Sequence, residues 1–228
     1  MANRYFTQAS FDFLKQLEKN NNRDWFNRHK QEYEDTVRGP ALDFIADIGD
    51  ELAAVSPHFL AVPKKVGGSL MRVYRDVRFG KDKRPFKTNI GIQFRHRLGK
   101  DVHAPGFYLH LEPGQCFVGV GIWHPDAATL ASIRTAIDED GTAWLKASRN
   151  QKFSKTFELV GESLSRPPRG YAKDHPLIDD LKRKDFIAIT PLGEKRVITA
   201  NLKTDTLRSF QTAVPLMKFL CQSLALQF

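Results

Sequence analysis

The sequence has little of what marks secreted, membrane-spanning or zinc-binding proteins. It contains only two cysteines, Cys116 and Cys221, and no metal-type spacing links them, so neither a disulfide framework nor a cysteine metal site is indicated. No apolar run approaches the ~20 residues that a membrane helix needs. The first residues also lack the basic stretch and apolar core of a signal peptide. We therefore expect a cytoplasmic protein whose two thiols stay unpaired, with no membrane association.

The sequence also lacks repeats, low-complexity stretches and linker-like segments. Charged residues make up 27% of the 228 residues, which is close to the average for folded soluble domains. The 17 phenylalanines supply ample apolar surface for one continuous core. No segment rich in glycine, serine or proline divides the chain. We predict a single domain over residues 1–228.

Both ends of the chain are predicted to be helical. In the first third, apolar side chains recur every three or four residues. The three helices predicted there begin with residues that cap or open helices, namely Ser10, Asn22 and Gly39-Pro40. The helical spacing returns after Asp126, which can cap a helix, and it predicts helices over 144–164 and a final helix that Thr204 caps.

The middle of the chain shows the alternation that is typical of strands. Alternating runs predict strands at 70–79, 89–97, 107–112 and 116–123. Pro113-Gly114 lies between the last two runs and predicts a hairpin turn, and a further short strand is predicted at 186–190. The pattern indicates an α+β fold, with N-terminal and C-terminal helices flanking a mainly antiparallel central sheet.

The positive charge of the chain is concentrated in one segment. Lys64–Lys100 holds twelve lysines and arginines against two aspartates, a net charge of +10, whereas the rest of the chain carries −1. A localised field attracts anions more strongly than a diffuse one. We interpret the segment as a basic β-hairpin that binds an anion, and the alternative is a well-solvated surface hairpin.

The core of that segment, RVYRDVRFGKDKRPFKT at 72–88, resembles the signature of a mainly bacterial family. Its RxxRDxRF motif and the following DKxP-aromatic-K motif are similar to those of the domain-of-unknown-function family 2461. Other stretches are similar too, including PGFYLHLEPG at 105–114. Phe86 stands where that family often has tyrosine, which puts any role of a phenol there in doubt. The resemblance covers nearly the whole chain and implies one domain of the family's fold, but it brings no activity.

Cationic side chains of the segment are the first candidates for ligand binding. Alternation along the predicted strand places Arg75 in an apolar row and Arg72, Asp76 and Arg78 on the other face. A charge in an apolar row must be paired or face a cavity, so we expect Arg75 to be largely buried with its guanidinium engaged. The ligand-binding candidates are Arg72, Arg75, Arg78, Lys83, Lys87 and Tyr108.

Three side chains are candidates for proton transfer: Asp76, His110 and Glu112. His110 and Glu112 lie two residues apart on a predicted strand and share a face with Tyr108. The predicted turn pairs His110 with Phe117 and Tyr108 with Gly119. The missing side chain of Gly119 leaves either a hollow for a ligand or room for aromatic rings to fold across it, and we favour the second.

No cofactor or metal signature is present. The basic segment does not match a phosphate loop, and the GVG fragment at 119–121 opens no helix. A metal at His110 and Glu112 would need a third ligand from His103, His124 or Asp126, which the spacing does not require. We predict no cofactor and no metal.

Three functions remain open at this point. The first is binding of an anionic partner, either a phosphate- or carboxylate-bearing small molecule or a nucleic acid. The second is an enzyme that acts on a small anionic substrate with the Arg/Asp/His/Glu cluster. The third is a structural or interaction protein in which these pairs only hold the sheet. We prefer the first, because the charge concentration is counted directly from the sequence.

Overall fold

A six-stranded antiparallel sheet forms the centre of the structure, a computed structural model that describes residues 3–78, 81–99 and 104–228. Its strands are β1 (Phe59–Leu60), β2 (Ile90–His96), β3 (Gly106–Leu111), β4 (Cys116–Ile122), β5 (Glu158–Val160) and β6 (Phe186–Leu192). They are ordered β1-β2-β3-β4-β6-β5 across the sheet, and all five pairings between them are antiparallel.

Helices flank this sheet, which confirms the predicted α+β fold. They are α1 (Gln8–Lys19), α2 (Arg23–Arg28), α3 (Lys30–Tyr33), α4 (Gly39–Asp47), α5 (Gly49–Val55), α6 (Ala127–Glu139), α7 (Gly141–Arg149), α8 (Gln151–Thr156), α9 (Ile178–Leu181), α10 (Glu194–Val197) and α11 (Leu202–Ser223). Helix α11 packs on the sheet where the ring of Phe210 lies 4.5 Å from Phe107 of β3 and 5.8 Å from Phe94 of β2. These three rings are buried and belong to the hydrophobic core.

The turn between β3 and β4 has the register that the sequence predicts. His110 pairs with Phe117, and Tyr108 pairs with Gly119. Gly114 has a φ of 77°, a left-handed conformation that glycine adopts without a steric penalty. Because side chains alternate along a strand, this register fixes which residues of β3 face the core.

Three helix starts are as predicted, at Asn22, Gly39 and Asp126, and two lie a few residues away. The side chains of Asn22 and Asp126 cap α2 and α6, accepting backbone N–H groups at 2.9 and 2.7 Å. Helix α1 instead begins after Thr7, whose N–H donates to the Ser10 hydroxyl at 3.2 Å, and α11 begins after Asn201. Serine and threonine occur inside the first turn as well as at the cap, so their identity alone does not fix the start.

Helix α4 begins at Gly39, as predicted, but no break separates it from the helix before it, and the helices predicted over 144–164 end before a strand. A π-helical turn at Glu34–Arg38 joins α3 to α4, and its wider hydrogen bonding lets the chain stay helical up to Pro40. At the second place, Glu158–Val160 forms β5 at the sheet edge beside β6. A run as short as three residues does not show the periodicity that distinguishes a strand from a helix.

The segment 70–78 is not the strand that its alternation predicts. Leu70 forms one bridge to Ile92 of β2, and Tyr74 forms another to Phe86. The rest of the segment has no strand structure within the described residues. Phe79, the last residue of the predicted strand, lies outside the described residues.

A proline explains why the second bridge does not grow into a ladder. The Arg75 N–H donates to the Pro85 carbonyl at 2.9 Å, and the Lys87 N–H donates to the Val73 carbonyl at 2.7 Å. Pro85 has no N–H with which to return the first bond. Residues 72–78 and 81–87 therefore form a loop with one β-bridge in place of the predicted hairpin, and we call these residues the basic loop.

Both cysteines are buried and unpaired, as predicted. Burial raises the pKa of the Cys116 thiol and raises that of Cys221 to about 12, so neither thiol is activated. Among the described helices, none is both long and apolar enough to cross a membrane. The cytoplasmic location stays a prediction.

Candidate functional site

Aromatic contacts anchor the base of the basic loop on the N-terminal helices. Phe86 is buried and stacks on Phe26 of α2, with ring centroids 4.1 Å apart. Its backbone C=O and N–H both bond to the side-chain amide of Asn21, each at 3.0 Å. Tyr74 packs against Phe86 at 5.4 Å, yet 56% of it remains exposed. The loop is thus fixed at its base and presents an exposed aromatic ring.

Asp82 joins two arginines of the basic loop. Its Oδ2 accepts a bond from Arg75 Nη1 at 2.5 Å and from Arg84 Nη2 at 2.7 Å. These guanidinium groups, Arg84 foremost, hold the pKa of Asp82 well below its ordinary value. The carboxylate therefore neutralises part of the charge on both arginines.

Arg75 is engaged as expected, but it is not largely buried. About a third of its side chain, 34%, is exposed. The prediction of deep burial was wrong because it assumed that Arg75 lies in an apolar row of a sheet strand. In the loop, its ion pair with Asp82 faces solvent, and such exposed pairs contribute little to stability.

Arg78 and Asp76 form an exposed pair of their own. Arg78 Nη2 lies 2.7 Å from Asp76 Oδ2, and the side chains are 75% and 58% exposed. Hydrogen bonds from Arg78 lower the pKa of Asp76 to about 2. Asp76 is therefore ionised at neutral pH and accepts hydrogen bonds from Arg78. The sequence had suggested Asp76 as a proton-transfer group.

Three further cations of the basic loop differ in their partners. Lys83 Nζ donates to the Val77 carbonyl at 2.9 Å. Neither Arg72 nor Lys87 has a side-chain hydrogen bond or ion pair with any described residue. Lys87 is half-buried, and this desolvation, followed by the charges of Arg72 and Arg75, lowers the pKa of its ammonium. The structure thus groups Arg72, Arg75 and Lys87, which the sequence had spread over a strand and a loop.

A second set of polar side chains lies on strand β3 and the residue after the basic loop, and we call it the polar ladder. Tyr108 Oη lies 3.1 Å from His110 Nδ1, and His110 Nε2 lies 3.1 Å from Glu112 Oε2. The Thr88 hydroxyl donates to Glu112 Oε1 at 2.9 Å. A carboxylate only accepts, so His110 Nε2 carries the proton and Nδ1 accepts from the Tyr108 hydroxyl.

The polar groups of the polar ladder are hydrogen-bonded to one another. Both ring nitrogens of His110 and both carboxylate oxygens of Glu112 have partners inside the protein. The imidazole also stacks on Phe117, with centroids 4.6 Å apart and planes 10° from parallel. Burial, with a smaller effect of Glu112, raises the pKa of Tyr108 to about 12. This arrangement supports a positioning role for these residues more than a proton-transfer role.

The Tyr108 ring covers the glycines beside it, as the sequence reading favoured. A Cβ added to Gly91 would lie 2.7 Å from the Tyr108 hydroxyl, and one added to Gly119 would lie 3.5 Å from the ring. The glycines therefore accommodate tyrosine, and Tyr108 fills the space in which the sequence allowed a ligand.

The Arg/Asp/His/Glu cluster of the second hypothesis would need the motif to meet β3, and among the described residues the two are joined by a side-chain bond only at Thr88. This residue follows the basic loop and bonds to Glu112. No cation of the basic loop bonds to Tyr108, His110 or Glu112 in the part of the chain that the structure describes. The cluster inferred from the sequence is therefore two neighbouring sets, one cationic and one internally bonded.

A metal site receives no support from the geometry. Within residues 3–78, 81–99 and 104–228, no three histidine, cysteine or carboxylate residues are grouped to hold an ion. Of the third ligands considered for His110 and Glu112, His103 lies outside the described residues. His124 lies next to Asp185, and Asp126 caps α6.

Sequence reasoning missed two residues that shape the site. Asp82 was counted only as an opposing charge, although it joins Arg75 and Arg84. Asn21, directly before the predicted cap Asn22, was given no role, although it binds the backbone of Phe86, 65 residues away. The DxR spacing at 82–84 repeats that at 76–78 and could have pointed to two local pairs. No local signal could have indicated Asn21.

A family model described as "Conserved hypothetical protein (DUF2461)" matches residues 9–219 of the chain. The search of curated proteins and the search of solved structures gave no match.

Proposed function

The chain belongs to the conserved hypothetical protein family DUF2461, and, because that description assigns no activity, we propose from the geometry that the basic loop binds an anionic ligand. The ligand carries a phosphate or carboxylate group and contacts Arg72, Arg75 and Lys87. One observation carries the proposal. A half-buried lysine lies close to two arginines, and no described carboxylate pairs with it.

The charge balance of the basic loop supports an external partner. The loop has seven cationic residues and two aspartates, and both aspartates are used in pairs with arginines. Partly desolvated like charges repel one another, and a bound anion relieves that repulsion. The guanidinium forks of Arg72 and Arg75 suit the paired oxygens of a phosphate or carboxylate.

The candidate residues differ in how available they are. Arg78 is held by Asp76 through both Nε and Nη2, and Lys83 is used by the Val77 carbonyl. The Tyr108 hydroxyl is bonded to His110. Arg75 bonds to Asp82 through Nη1 alone, so its other N–H groups stay available to a ligand. Arg72, Arg75 and Lys87 are therefore the ligand-binding set that we propose, with Arg78 and Lys83 outside it.

Calorimetric titration at low salt with sulfate, phosphate and citrate tests the proposal. Arg72→Ala and Lys87→Ala should each weaken binding by roughly tenfold or more, because a charge-assisted hydrogen bond contributes about 1.5–3 kcal/mol. Lys81→Ala is the matched control, since Lys81 is an exposed lysine of the same loop. Equal losses in all three variants, or no binding by the wild-type protein, would contradict a specific site.

Single-stranded nucleic acid is a second candidate, and one observation favours it. Tyr74 is 56% exposed and lies beside the cationic residues of the basic loop. Exposed aromatic rings next to cations serve as stacking platforms for bases. Tyr74→Ala should then weaken oligonucleotide binding by about tenfold and leave sulfate binding unchanged. If the site binds only small anions, the substitution should change neither affinity.

A further inference from the structure

A buried carboxylate lies directly behind an exposed imidazole, away from the basic loop. His124 follows strand β4, and its Nδ1 lies 3.3 Å from Oδ1 of Asp185, the residue before β6. The side chain of Asp185 is 2% exposed, whereas that of His124 is 46% exposed. Neither the motif nor the polar ladder includes this pair.

Several backbone features hold Asp185 in this position. Its Oδ1 accepts the backbone N–H of His124 at 2.8 Å, and its Oδ2 accepts that of Glu162 at 3.0 Å. Gly161 has a φ of 109°, and a Cβ there would lie 2.6 Å from the Asp185 Cβ. His124 itself has a φ of 47°, which is uncommon for a residue other than glycine. The chain thus accepts strain at the point where it presents this imidazole.

The position of Asp185 indicates which nitrogen of His124 faces outward. Its carboxylate lies 3.3 Å from Nδ1, and a nearby carboxylate favours the tautomer that carries the proton on that nitrogen. Nε2 then presents its lone pair, and no described residue bonds to it. His110 differs, because both of its ring nitrogens have protein partners. An outward-facing nitrogen backed by a buried aspartate is the arrangement in which histidine takes a proton or attacks an electrophile.

The surroundings of His124 suit an uncharged substrate better than a phosphate. The carboxylate of Asp185 lies 3.3 Å from the imidazole and would repel the oxygens of a bound phosphate. Glu162, whose backbone N–H binds the same carboxylate, has its side chain paired with Lys184 at 3.0 Å, so that lysine already has a protein partner. Trp123 is 50% exposed, and its ring lies 4.3 Å from that of His124. It offers an apolar surface for an acyl or aryl group.

We propose that His124 and Asp185 form a second chemical site, at which His124 Nε2 attacks the carbonyl carbon of an uncharged ester. A C–N bond forms, the ester C–O bond breaks, and the alcohol or phenol leaves as its anion. Water then adds to the acyl-imidazole, releases the carboxylic acid and restores the imidazole, and the proton set free neutralises the leaving anion. Asp185 is the positioning residue, whose buried carboxylate lies 3.3 Å from Nδ1 and stabilises the positive charge on the ring.

Hydrolysis of p-nitrophenyl acetate by the full chain tests this site. His124→Asn removes the imidazole, and asparagine tolerates the left-handed conformation at this position. It should lower the protein-dependent rate at least tenfold. The matched control is His175→Asn, because His175 also contacts an aspartate, Asp138, at 3.0 Å, but that carboxylate is 48% exposed. An unchanged rate in His124→Asn, or an equal loss in His175→Asn, would overturn the proposal.

Carbethoxylation of individual histidines by diethyl pyrocarbonate gives a readout that does not depend on turnover. Peptide mapping of the wild-type protein should show His124 modified at least fivefold faster than His175. Asp185→Asn should remove that difference, provided that its circular dichroism and unfolding temperature show a folded protein. If that variant does not fold, the modification rates of His124 and His175 in the wild-type protein decide. Equal rates at the two histidines, or an unaltered His124 rate in a folded Asp185→Asn protein, would contradict the arrangement.

Discussion

The basic loop and the polar ladder lie next to each other along the chain and satisfy their polar groups in opposite ways. In the polar ladder, each functional group of His110 and Glu112 has a partner within the protein. In the basic loop, two aspartates serve three arginines, while Arg72 and Lys87 have no side-chain partner among the described residues. Buried polar groups that are fully bonded stabilise a fold, and cations left without partners are available to a ligand. The comparison therefore separates a structural network from a binding surface.

Phe86→Ala should give the largest effect, because Phe86 joins the basic loop to the helices. Its side chain is 1% exposed and stacks on Phe26, and such truncations cost about 3–5 kcal/mol. Urea unfolding should show this loss, and sulfate affinity should fall with it, since the loop loses its anchor. Phe86→Leu, which keeps most of the apolar volume, should recover much of both. If Phe86→Ala destabilises the protein but leaves sulfate binding intact, the loop does not need this anchor.

Glu112→Ala should destabilise the protein without changing anion binding. The substitution leaves the Thr88 hydroxyl and His110 Nε2 without their acceptor, which costs about 1–3 kcal/mol. Urea unfolding measures the loss, and sulfate titration of the same variant measures binding. A large loss of sulfate affinity in a folded variant would mean that the polar ladder belongs to the binding site after all.

Lys87 should make anion binding sensitive to alkaline pH. Its pKa is lowered by burial and by Arg72 and Arg75, so it loses its charge at a lower pH than an ordinary lysine. Sulfate affinity should therefore fall as pH rises through that lowered pKa, while the stability of the unliganded protein rises over the same window. Sulfate keeps a constant charge there, which isolates the protein's contribution.

The control for this pH dependence is Lys87→Arg, because arginine keeps its charge throughout the range. Sulfate binding by this variant should be nearly flat with pH. A wild-type affinity that declines only where exposed lysines titrate would argue against Lys87 as a contact.

Asp76→Asn should have the smallest effect. The Asp76–Arg78 pair is exposed, and pairs of this kind contribute little to stability. We expect no measurable change in the unfolding temperature and a modest rise in sulfate affinity, because one negative charge is removed from the basic loop. A substantial loss of binding would instead place Asp76 in the site.

Elements governed by neighbouring residues were predictable. The register of β3 and β4 follows from Pro113-Gly114, because a tight turn fixes which residues face each other. The contact of the Tyr108 ring with Gly119 followed from that register, because the register places the two residues opposite each other. The strand predicted at 70–79 did not form within the described residues for an equally local reason, which the alternation did not reveal. Pro85 cannot return a ladder bond, and the DxR sequences form ion pairs within the loop.

The sequence by itself determined the α+β class, the hairpin register, the unpaired thiols and the position of the excess charge. These properties depend on composition, on turn chemistry and on periodicities of two or nearly four residues. Only the tertiary structure decided which polar groups meet. Asn21 binds Phe86 across 65 positions, and the backbone of His124 binds Asp185 across 61. Such contacts depend on how helices and loops pack in three dimensions, and no local pattern encodes that packing. For the same reason, the chain's histidines could be named from the sequence, but only the fold distinguished a fully bonded His110 from an outward-facing His124.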